Sequence, residues 1–390
     1  QGRHWTALAG REANALLARR GQDLFSQAVT YPRARQVLCT GTHPSITEGP
    51  EQQHLHRLIA AGFTRDAVRP HIARIDDHLA GLVATWKVGE DINVTERTAR
   101  LGLDAMSLFA TGQPLGLSSE AVRTYATAFT GVIAMNWPMA VMHIPSVMRT
   151  RLALDAMIQE RLDHHRANPP GQGRPTDYFD HLLDARLSDG APLPDRVRVV
   201  FGQIPFKNMG VYAGRVLNQL LYMLAHHPEA LERALPELDA AFGDGEVRLD
   251  ALERMTFTRA ALKETLRLLP IAVAVQRTVS APFHFGGYRF DIGDRLFFPI
   301  SATHFDPDLF PEPDRFQPER FLTHAERPPF TYNPFGVGHH ACVARAVFEP
   351  IALLVVGRIL HRWRLDARYR LRCRMRSEEH TSELQSPCNL

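Results

Sequence analysis

The chain has 390 residues, of which 45% are hydrophobic and 22% are charged, with a formal net charge of +3. This length predicts one large globular domain or two small ones. Four cysteines make no disulfide framework, so we expect a reducing, cytoplasmic setting. Lysine occurs only at positions 87, 207 and 263. No arginine cluster is interleaved with aromatic residues, as a nucleic-acid-binding surface would require. No apolar run reaches membrane-spanning length. We therefore expect neither nucleic acid nor a membrane as a partner.

Helical and turn patterns dominate the first part of the chain. A helix is predicted over 12–20, and a second follows the turn at 47–50. Several helices are predicted over 65–170, including a segment at 126–148 that is rich in methionine and aromatic residues. Flexible methionines suit an adaptable apolar pocket, although these residues could equally form ordinary core. A surface loop rich in proline and glycine follows at 167–177.

The longest helical pattern covers 197–227, and Pro205 is expected to kink it. A later helix carries Glu264 and Arg267, which are three residues apart, share a face and can pair. Short strands are then predicted at 273–275, over 283–290 as a hairpin with a Gly-Gly turn, and over 296–300. A Pro-Glu-Arg-Phe run, which contains Arg320, comes before the last helix.

The run Tyr332–Arg345 is predicted to form a loop that leads to one cysteine and then continues into that helix. Its proline and glycines forbid a regular element before Cys342. A thiol just ahead of a helix N-terminus is expected to have a lowered pKa, and a thiolate is a good soft ligand for iron. Other interpretations stay open: a buried structural cysteine, chance, or half a zinc site with His339 and His340. A zinc site would need further Cys or His at short spacing, and none occurs.

Together these motifs resemble the cytochrome P450 family. The letters FGVGHHAC match its haem-binding loop, Phe-x-x-Gly-x-(Arg/His)-x-Cys-x-(Gly/Ala), and Glu-x-x-Arg and Pro-x-Arg-Phe precede the loop in the family's order and spacing. The resemblance covers about 5–370 and implies the cytochrome P450 fold, mainly α with a small β region. We expect one such domain over 1–375, with both ends incomplete. Residues 376–390 look like a translated sequencing adapter and are excluded from function.

By the resemblance, the loop binds haem b. Cys342 would be the axial iron ligand and a catalytic residue. The loop positions implied to contact or shape the cofactor site are Phe335, Gly336, Gly338, His340 and Ala344.

Further positions of this chain match haem or substrate contacts of the family. Gln52 and His56, four residues apart on one helix face, stand where the family places Trp or His and then Arg on a haem propionate. Arg277 stands where a second propionate arginine is expected. Ile271 and Val273 would flank the substrate.

The central helix departs from the family pattern. Its Ala-Gly-x-(Asp/Glu)-Thr motif, counted back from Pro228, falls on 208–212. The acid is replaced by Val211 and the alcohol by Tyr212, so the usual proton relay does not match. Gly210 and Val211 are expected in the substrate pocket. Tyr212 could donate a proton or simply fill space.

The resemblance also implies a structural charge network. In the family, Glu-x-x-Arg is buried and locked to the arginine of Pro-x-Arg-Phe, next to the cysteine loop. Here the three members would be Glu264, Arg267 and Arg320.

The implied function is a haem-thiolate monooxygenase that inserts oxygen into a small apolar molecule. Electrons would come from NAD(P)H through a ferredoxin and its reductase, and the protein is expected to be a monomer. The lost acid–alcohol pair opens two alternatives. One is a peroxide-using or substrate-assisted enzyme, and the other is a haem-binding protein without turnover.

Overall fold

The computed structural model of the chain describes residues 4–87, 92–171, 173–243, 245–323 and 327–364. These residues form a mainly helical protein with a small β region, which confirms the predicted fold class. The segment 376–390 lies outside the described residues.

Helices of the first half carry the N-terminal part of the core. Their bounds are α1 (Arg11–Leu24), α2 (Gln27–Thr30), α3 (Ala34–Leu38), α4 (Gly49–Ala61), α5 (Arg65–Val68), α6 (Ile72–Ala84), α7 (Val94–Thr111), α8 (Ser119–Ala134), α9 (Pro145–Ala167) and α10 (Tyr178–Asp184). Two short 3₁₀ turns, Arg69–His71 and Met139–His143, connect neighbours. The segment at 126–148 therefore spans the end of α8, a turn and the start of α9.

Helices of the second half surround the most buried part of the molecule. Their bounds are α11 (Asp195–Gly202), α12 (Ile204–Asn208), α13 (Gly214–His226), α14 (Pro228–Phe242), α15 (Leu249–Arg254), α16 (Thr256–Leu268) and α17 (Arg345–Arg362). Short 3₁₀ turns cover Ala302–Phe305, Pro318–Phe321 and Gly338–His340. The last of these turns belongs to the cysteine loop, and α17 continues from that loop into the core with its apolar residues buried.

The central helix is not continuous, which corrects the single helix predicted over 197–227. It is divided into α11, α12, a π-helical segment Met209–Ala213 and α13. Pro205 has no N–H to offer the carbonyl of Phe201, one helical turn earlier, and the Tyr178 hydroxyl donates to that carbonyl instead at 3.2 Å. The π-segment lies where the sequence placed the altered proton-relay motif, and π-bulges are frequent at functional sites.

Six short strands form two sheets. Their bounds are β1 (Thr6–Ala7), β2 (Phe25–Ser26), β3 (Val275–Val279), β4 (Phe283–Phe285), β5 (Tyr288–Phe290) and β6 (Arg295–Phe298) in the described residues. The larger sheet has the order β1–β6–β3–β2, with β1 parallel to β6 and the other pairs antiparallel; β4 and β5 form the predicted hairpin. The strand predicted at 273–275 begins at Val275, because the Val273 carbonyl accepts from the N–H and hydroxyl of Ser301 instead.

Candidate functional site

The cysteine loop holds its sulfur among backbone donors. The N–H of Cys342 donates to the Phe335 carbonyl at 2.8 Å, which closes the loop. The backbone N–H groups of Ala344 and Arg345, at the start of α17, favour the thiolate form of the sulfur and act to lower its pKa. A thiolate in this position would gain two donors and the nearby Arg345 charge.

The expected lowering of the Cys342 pKa is wrong for the protein in this structure. Burial raises the pKa of the thiol above its ordinary value and outweighs the two N–H donors and Arg345. Cys342 is nevertheless exposed to solvent. The raised pKa and the solvent exposure are compatible, because a recessed sulfur can be open to water on one side and enclosed by protein on the others.

Two glycines give the loop its shape. Gly336 has φ +77 and Gly338 has φ +70, in the left-handed region where side chains are disfavoured. A Cβ on Gly338 would lie 3.0 Å from the Cα of Ala18, so the loop rests directly on the backbone of α1. Phe335, between Pro334 and Gly336, packs edge-on against Phe348 of α17 with ring centroids 5.9 Å apart.

Helix α4 supports the loop from a second side. The Gln52 amide donates to the carbonyl of His339 at 3.1 Å and lies 3.4 Å from Nδ1 of His340. The His56 ring donates to the carbonyl of Ala341 at 2.9 Å. The predicted pair is therefore brought to the cysteine loop, where both side chains bind its backbone. Their predicted contact with a haem propionate stays a prediction.

Arg277 lies on β3 with its guanidinium buried; 6% of the residue is exposed. It donates to the Gln276 carbonyl at 2.7 Å and hydrogen-bonds Tyr31, but no carboxylate pairs with it among the described residues. Burial lowers the pKa of Arg277, as expected for a cation without an acid. Burial, and then the charge of Arg277, lower the pKa of His340 to about 3, so that ring is neutral.

The π-segment faces helix α8. A Cβ on Gly210 would make ordinary contact with Ala126 at 3.6 Å, so this glycine adjoins α8. Tyr212 is 40% exposed; its hydroxyl hydrogen-bonds Thr130, and the partial burial of the side chain raises its pKa. Val211 is half-buried.

The structure does not join every predicted residue to the loop by a direct contact. In the described part of the chain, no hydrogen bond or ring contact links Tyr212 to Cys342. Ile271 is half-buried, whereas Val273 is 55% exposed. Their roles beside a substrate stay predictions.

The predicted charge network is present as a set of contacts. Both oxygens of Glu264 accept from Arg267 at 2.8 Å, and one oxygen also accepts from Arg320 at 3.1 Å. Glu264 and Arg267 are fully buried. The same oxygen accepts the backbone N–H of Gln317 at 3.0 Å, so this network fastens the segment before the loop to α16.

One residue that the sequence did not single out connects this network to the loop. The buried ring of His304 donates from Nδ1 to the Arg267 carbonyl at 3.3 Å, and its Nε2 accepts the N–H of Asn333 at 2.9 Å. Arg267 returns a hydrogen bond to the His304 carbonyl at 2.7 Å. A histidine directly before Phe-Asp-Pro was the available signal, but nothing in the sequence indicates its partners.

The donor set fits a haem with a thiolate ligand. The sulfur is a soft ligand with backbone N–H groups directed at it, which is how proteins tune such ligands. Nearby, Arg277 is a buried cation that no acid in the described ranges pairs with, and it would match an anionic haem carboxylate. The zinc interpretation has no such support. Among the described residues, the one group of three possible metal ligands is His165, Asp177 and Asp180, and it includes no loop residue.

A mainly helical fold with a glycine-shaped cysteine loop, fastened by a buried Glu–Arg–Arg network, defines a haem-thiolate protein. The model of the Cytochrome P450 family matches residues 8–380. The chain therefore belongs to the cytochrome P450 family, and it is a haem-thiolate oxidoreductase of the monooxygenase class.

Similar proteins agree with this assignment. The chain is 25% identical over 367 residues to cyclooctat-9-en-7-ol 5-monooxygenase of Streptomyces melanosporofaciens, covering 88% of this chain and 76% of the relative. It is 26% identical over 360 residues to sterol 14alpha-demethylase of Mycobacterium bovis, covering 88% and 78%. The retinoic acid-bound structure of cyanobacterial CYP120A1 has the same fold, with a TM-score of 0.78, 22% identity, and coverage of 91% and 81%. The peroxide-using and non-turnover alternatives are not favoured by these relatives.

None of the helices in the described ranges combines the length and the apolar character that a bilayer crossing needs.

Proposed function

We propose that this monooxygenase binds haem b through the Cys342 thiolate and oxidises a small, largely apolar organic molecule. The observation that carries the proposal is the shape of the cysteine loop, which Gly336 and Gly338 turn and which the Cys342 N–H closes on the Phe335 carbonyl at 2.8 Å. When bound, a haem with a thiolate ligand supplies activation of dioxygen for insertion of oxygen into a C–H bond.

The chain's own residues would hold the cofactor in place from several sides. Arg277 would pair with a haem carboxylate, because it is a buried cation without an acid. Gln52 and His56 would keep the loop carbonyls ahead of Cys342 fixed, and we assign them to a second haem carboxylate. His340, whose ring is neutral, would add a hydrogen-bonding group without adding charge.

The substrate would lie beneath the π-segment. We assign its walls to Gly210, Val211, Ile271 and Val273. Tyr212 replaces the usual alcohol, and its hydroxyl, held by Thr130 and kept protonated by its raised pKa, is a proton donor at this wall.

Electrons would reach the site from NAD(P)H through a ferredoxin and a reductase, and the enzyme would work as a monomer in the cytoplasm. A small organic substrate is supported by the names of two relatives, one acting on cyclooctat-9-en-7-ol and the other on a sterol.

The direct test is the difference spectrum of the haem-loaded chain after reduction and addition of carbon monoxide. A band typical of thiolate ligation is expected for the wild type, and Cys342→Ala should lose it. Cys39→Ala, which removes the other described thiol, should keep the band. Retention of the band in Cys342→Ala would overturn the assignment of the ligand.

A second measurement tests turnover. NADH consumption with a surrogate ferredoxin and reductase should accompany product formation. Tyr212→Phe should keep the carbon monoxide band and lower the ratio of product to NADH, because the hydroxyl proton is lost while the ring stays. An unchanged ratio would assign Tyr212 to packing alone.

A further inference from the structure

Within the part of the chain that the structure describes, Lys207 is a buried lysine without a partner of opposite charge. It lies on α12, two residues before the π-segment, and only 5% of it is exposed. Its Nζ stands 4.0 Å from the ring centroid of Phe129 on α8. Among the described residues, no hydrogen bond or ion pair holds this ammonium group. A buried charge that meets only an aromatic face is incompletely compensated.

The surrounding charges do not supply the missing anion. Asp155 of α9 attracts Lys207, but it is bound by Arg196 of α11 at 2.9 Å and by the amide of Gln203. The charges of Arg151 and Arg196 oppose that of Lys207. Burial lowers the pKa of Lys207 to about 7, because the neighbouring groups do not offset the cost of enclosing the charge.

The segment between α3 and α4 also lies close to Lys207. His43 from this segment packs edge-on against Phe201, with ring centroids 5.7 Å apart. Burial, and then the charge of Lys207, lower its pKa to about 3, so His43 is neutral and close to the lysine. Helices α8, α9 and α12 and this segment therefore converge on a positive charge.

The ammonium group and Tyr212 of the proposed substrate wall contact consecutive residues of α8. Phe129 contacts Lys207, and the next residue, Thr130, hydrogen-bonds the Tyr212 hydroxyl. Along the helix axis, Lys207 precedes Val211 by four residues, or about 6 Å. Lys207 therefore belongs to the helical turn that adjoins the π-segment.

We propose that Lys207 binds the carboxylate of the substrate, and that this enzyme acts on lipophilic monocarboxylic acids. The proposal rests on the proposed function and narrows its substrate class. One ammonium group balances one negative charge, whereas a phosphate monoester carries nearly two at neutral pH and would stay undercompensated. The ring of Phe129 beside the ammonium suits the apolar body of such an acid.

The test measures binding to the haem-loaded full chain by calorimetry at pH 6. The probes are octanoate, decanoate, adamantane-1-carboxylate and 1-naphthoate, each compared with the alcohol of the same skeleton. Lys207→Met removes the charge and keeps the length, Lys207→Arg keeps the charge, and Lys263→Met removes a lysine from α16 as the matched control.

Wild type should bind at least one acid about tenfold or more tightly than its alcohol. Lys207→Met should weaken that acid by about 30-fold or more and change the alcohol by less than about threefold. Lys207→Arg should keep most of the preference, and Lys263→Met all of it. The inference is overturned if no acid is preferred, or if Lys207→Met weakens acid and alcohol equally.

A second measurement follows the pKa of Lys207 and needs only the wild-type chain. The sequence has only three lysines, so a chain labelled with ¹³C-lysine shows few side-chain signals. The preferred acid should raise the pKa of Lys207 by about one unit or more and leave that of Lys263 unchanged. A Lys207 pKa that the acid does not move would overturn the inference even if Lys207→Met fails to fold.

The two proposals fail separately. A chain that shows the carbon monoxide band but no preference for acids would overturn the lysine site alone. A chain that binds acids through Lys207 but lacks the band would overturn the assignment of Cys342.

Discussion

The Nε2 atom of His304 accepts the backbone N–H of Asn333 at 2.9 Å, and this contact requires a neutral ring. Burial lowers the pKa of His304 to about 4. The folded state therefore binds fewer protons than the unfolded state between pH 6.5 and 4, so this contribution is complete above pH 6.5 and is lost as the pH falls toward 4. The loss from His304 is about 3 kcal/mol at most.

Urea unfolding of the haem-loaded chain from pH 7.5 to 4.5 tests this prediction. His304→Gln should be less stable at pH 7.5, yet its free energy of unfolding should fall less steeply with acid. His284→Gln, which changes an exposed histidine, should follow the wild-type curve. Parallel curves for wild type and His304→Gln would show that the ring is not the titrating group.

Glu264→Gln should destabilise the protein strongly. The substitution removes the negative charge that two arginines share and leaves the guanidinium of Arg267 buried and uncompensated. Loss of one partner of a buried pair costs about 3–5 kcal/mol. The measurement is the free energy of unfolding in urea at pH 7.5.

The control for this prediction is Glu312→Gln. Glu312 pairs with Arg315 at 2.7 Å, but both side chains are exposed. Exposed pairs contribute little, so no measurable change is expected. An equal effect of the two substitutions would contradict the structural role of the buried network.

Gly338→Ala should disturb the cysteine loop more than an otherwise similar substitution elsewhere. Gly338 and Gly287 both have positive φ, at +70 and +80, but a Cβ on Gly287 meets nothing within 4 Å. Gly287→Ala should therefore cost backbone strain alone, about 1–2 kcal/mol. Gly338→Ala adds a collision with Ala18, and it should also reduce the carbon monoxide band. Equal effects on stability, with the band intact, would contradict the close approach to α1.

Binding of the preferred acid should depend on pH through Lys207. Only the ammonium form pairs with a carboxylate, and the free lysine has a pKa of about 7. Affinity should therefore fall as the pH rises above 7, by up to about tenfold per unit. The other groups facing Lys207 are Asp155 and Arg151 on α9, Arg196 on α11, and His43, which stays neutral above its pKa of about 3.

Calorimetry of acid and alcohol between pH 6 and 8.5 checks this dependence. The alcohol should bind equally well throughout, and Lys207→Arg should remove the decline for the acid because arginine keeps its charge. A decline that persists in Lys207→Arg would assign the titration to another group.

Short motifs allowed the fold and the cysteine loop to be predicted from the sequence. Glu-x-x-Arg, Pro-x-Arg-Phe and the loop depend on residues close together in the chain, so their letters identify them. The pKa of Cys342 was predicted in the wrong direction, because the helix N-terminus was considered without the burial of the sulfur.

Other features of the site could be recognised only from contacts in the three-dimensional structure. The residues of the π-segment, Met-Gly-Val-Tyr-Ala, have no spacing that distinguishes a π-helix from an α-helix. Lys207 was visible as a lone lysine in the central helix, but its lack of an acid partner depends on α8, α9 and α11. The sequence also could not show that Gln52 and His56 bind the carbonyls of the cysteine loop.

The contact between Gly338 and Ala18 has a consequence for the order of folding. Helix α1 covers Arg11–Leu24, whereas its partner Gly338 comes from a part of the sequence far removed from it. Asn14 on the same helix donates to the Ile300 carbonyl at 3.1 Å across a separation of 286 residues. Contacts of such long range form late, after loop closure has been achieved. The contacts between α1 and the cysteine loop are therefore expected to form late in folding, and the loop should reach its final shape only after these two distant segments have come together.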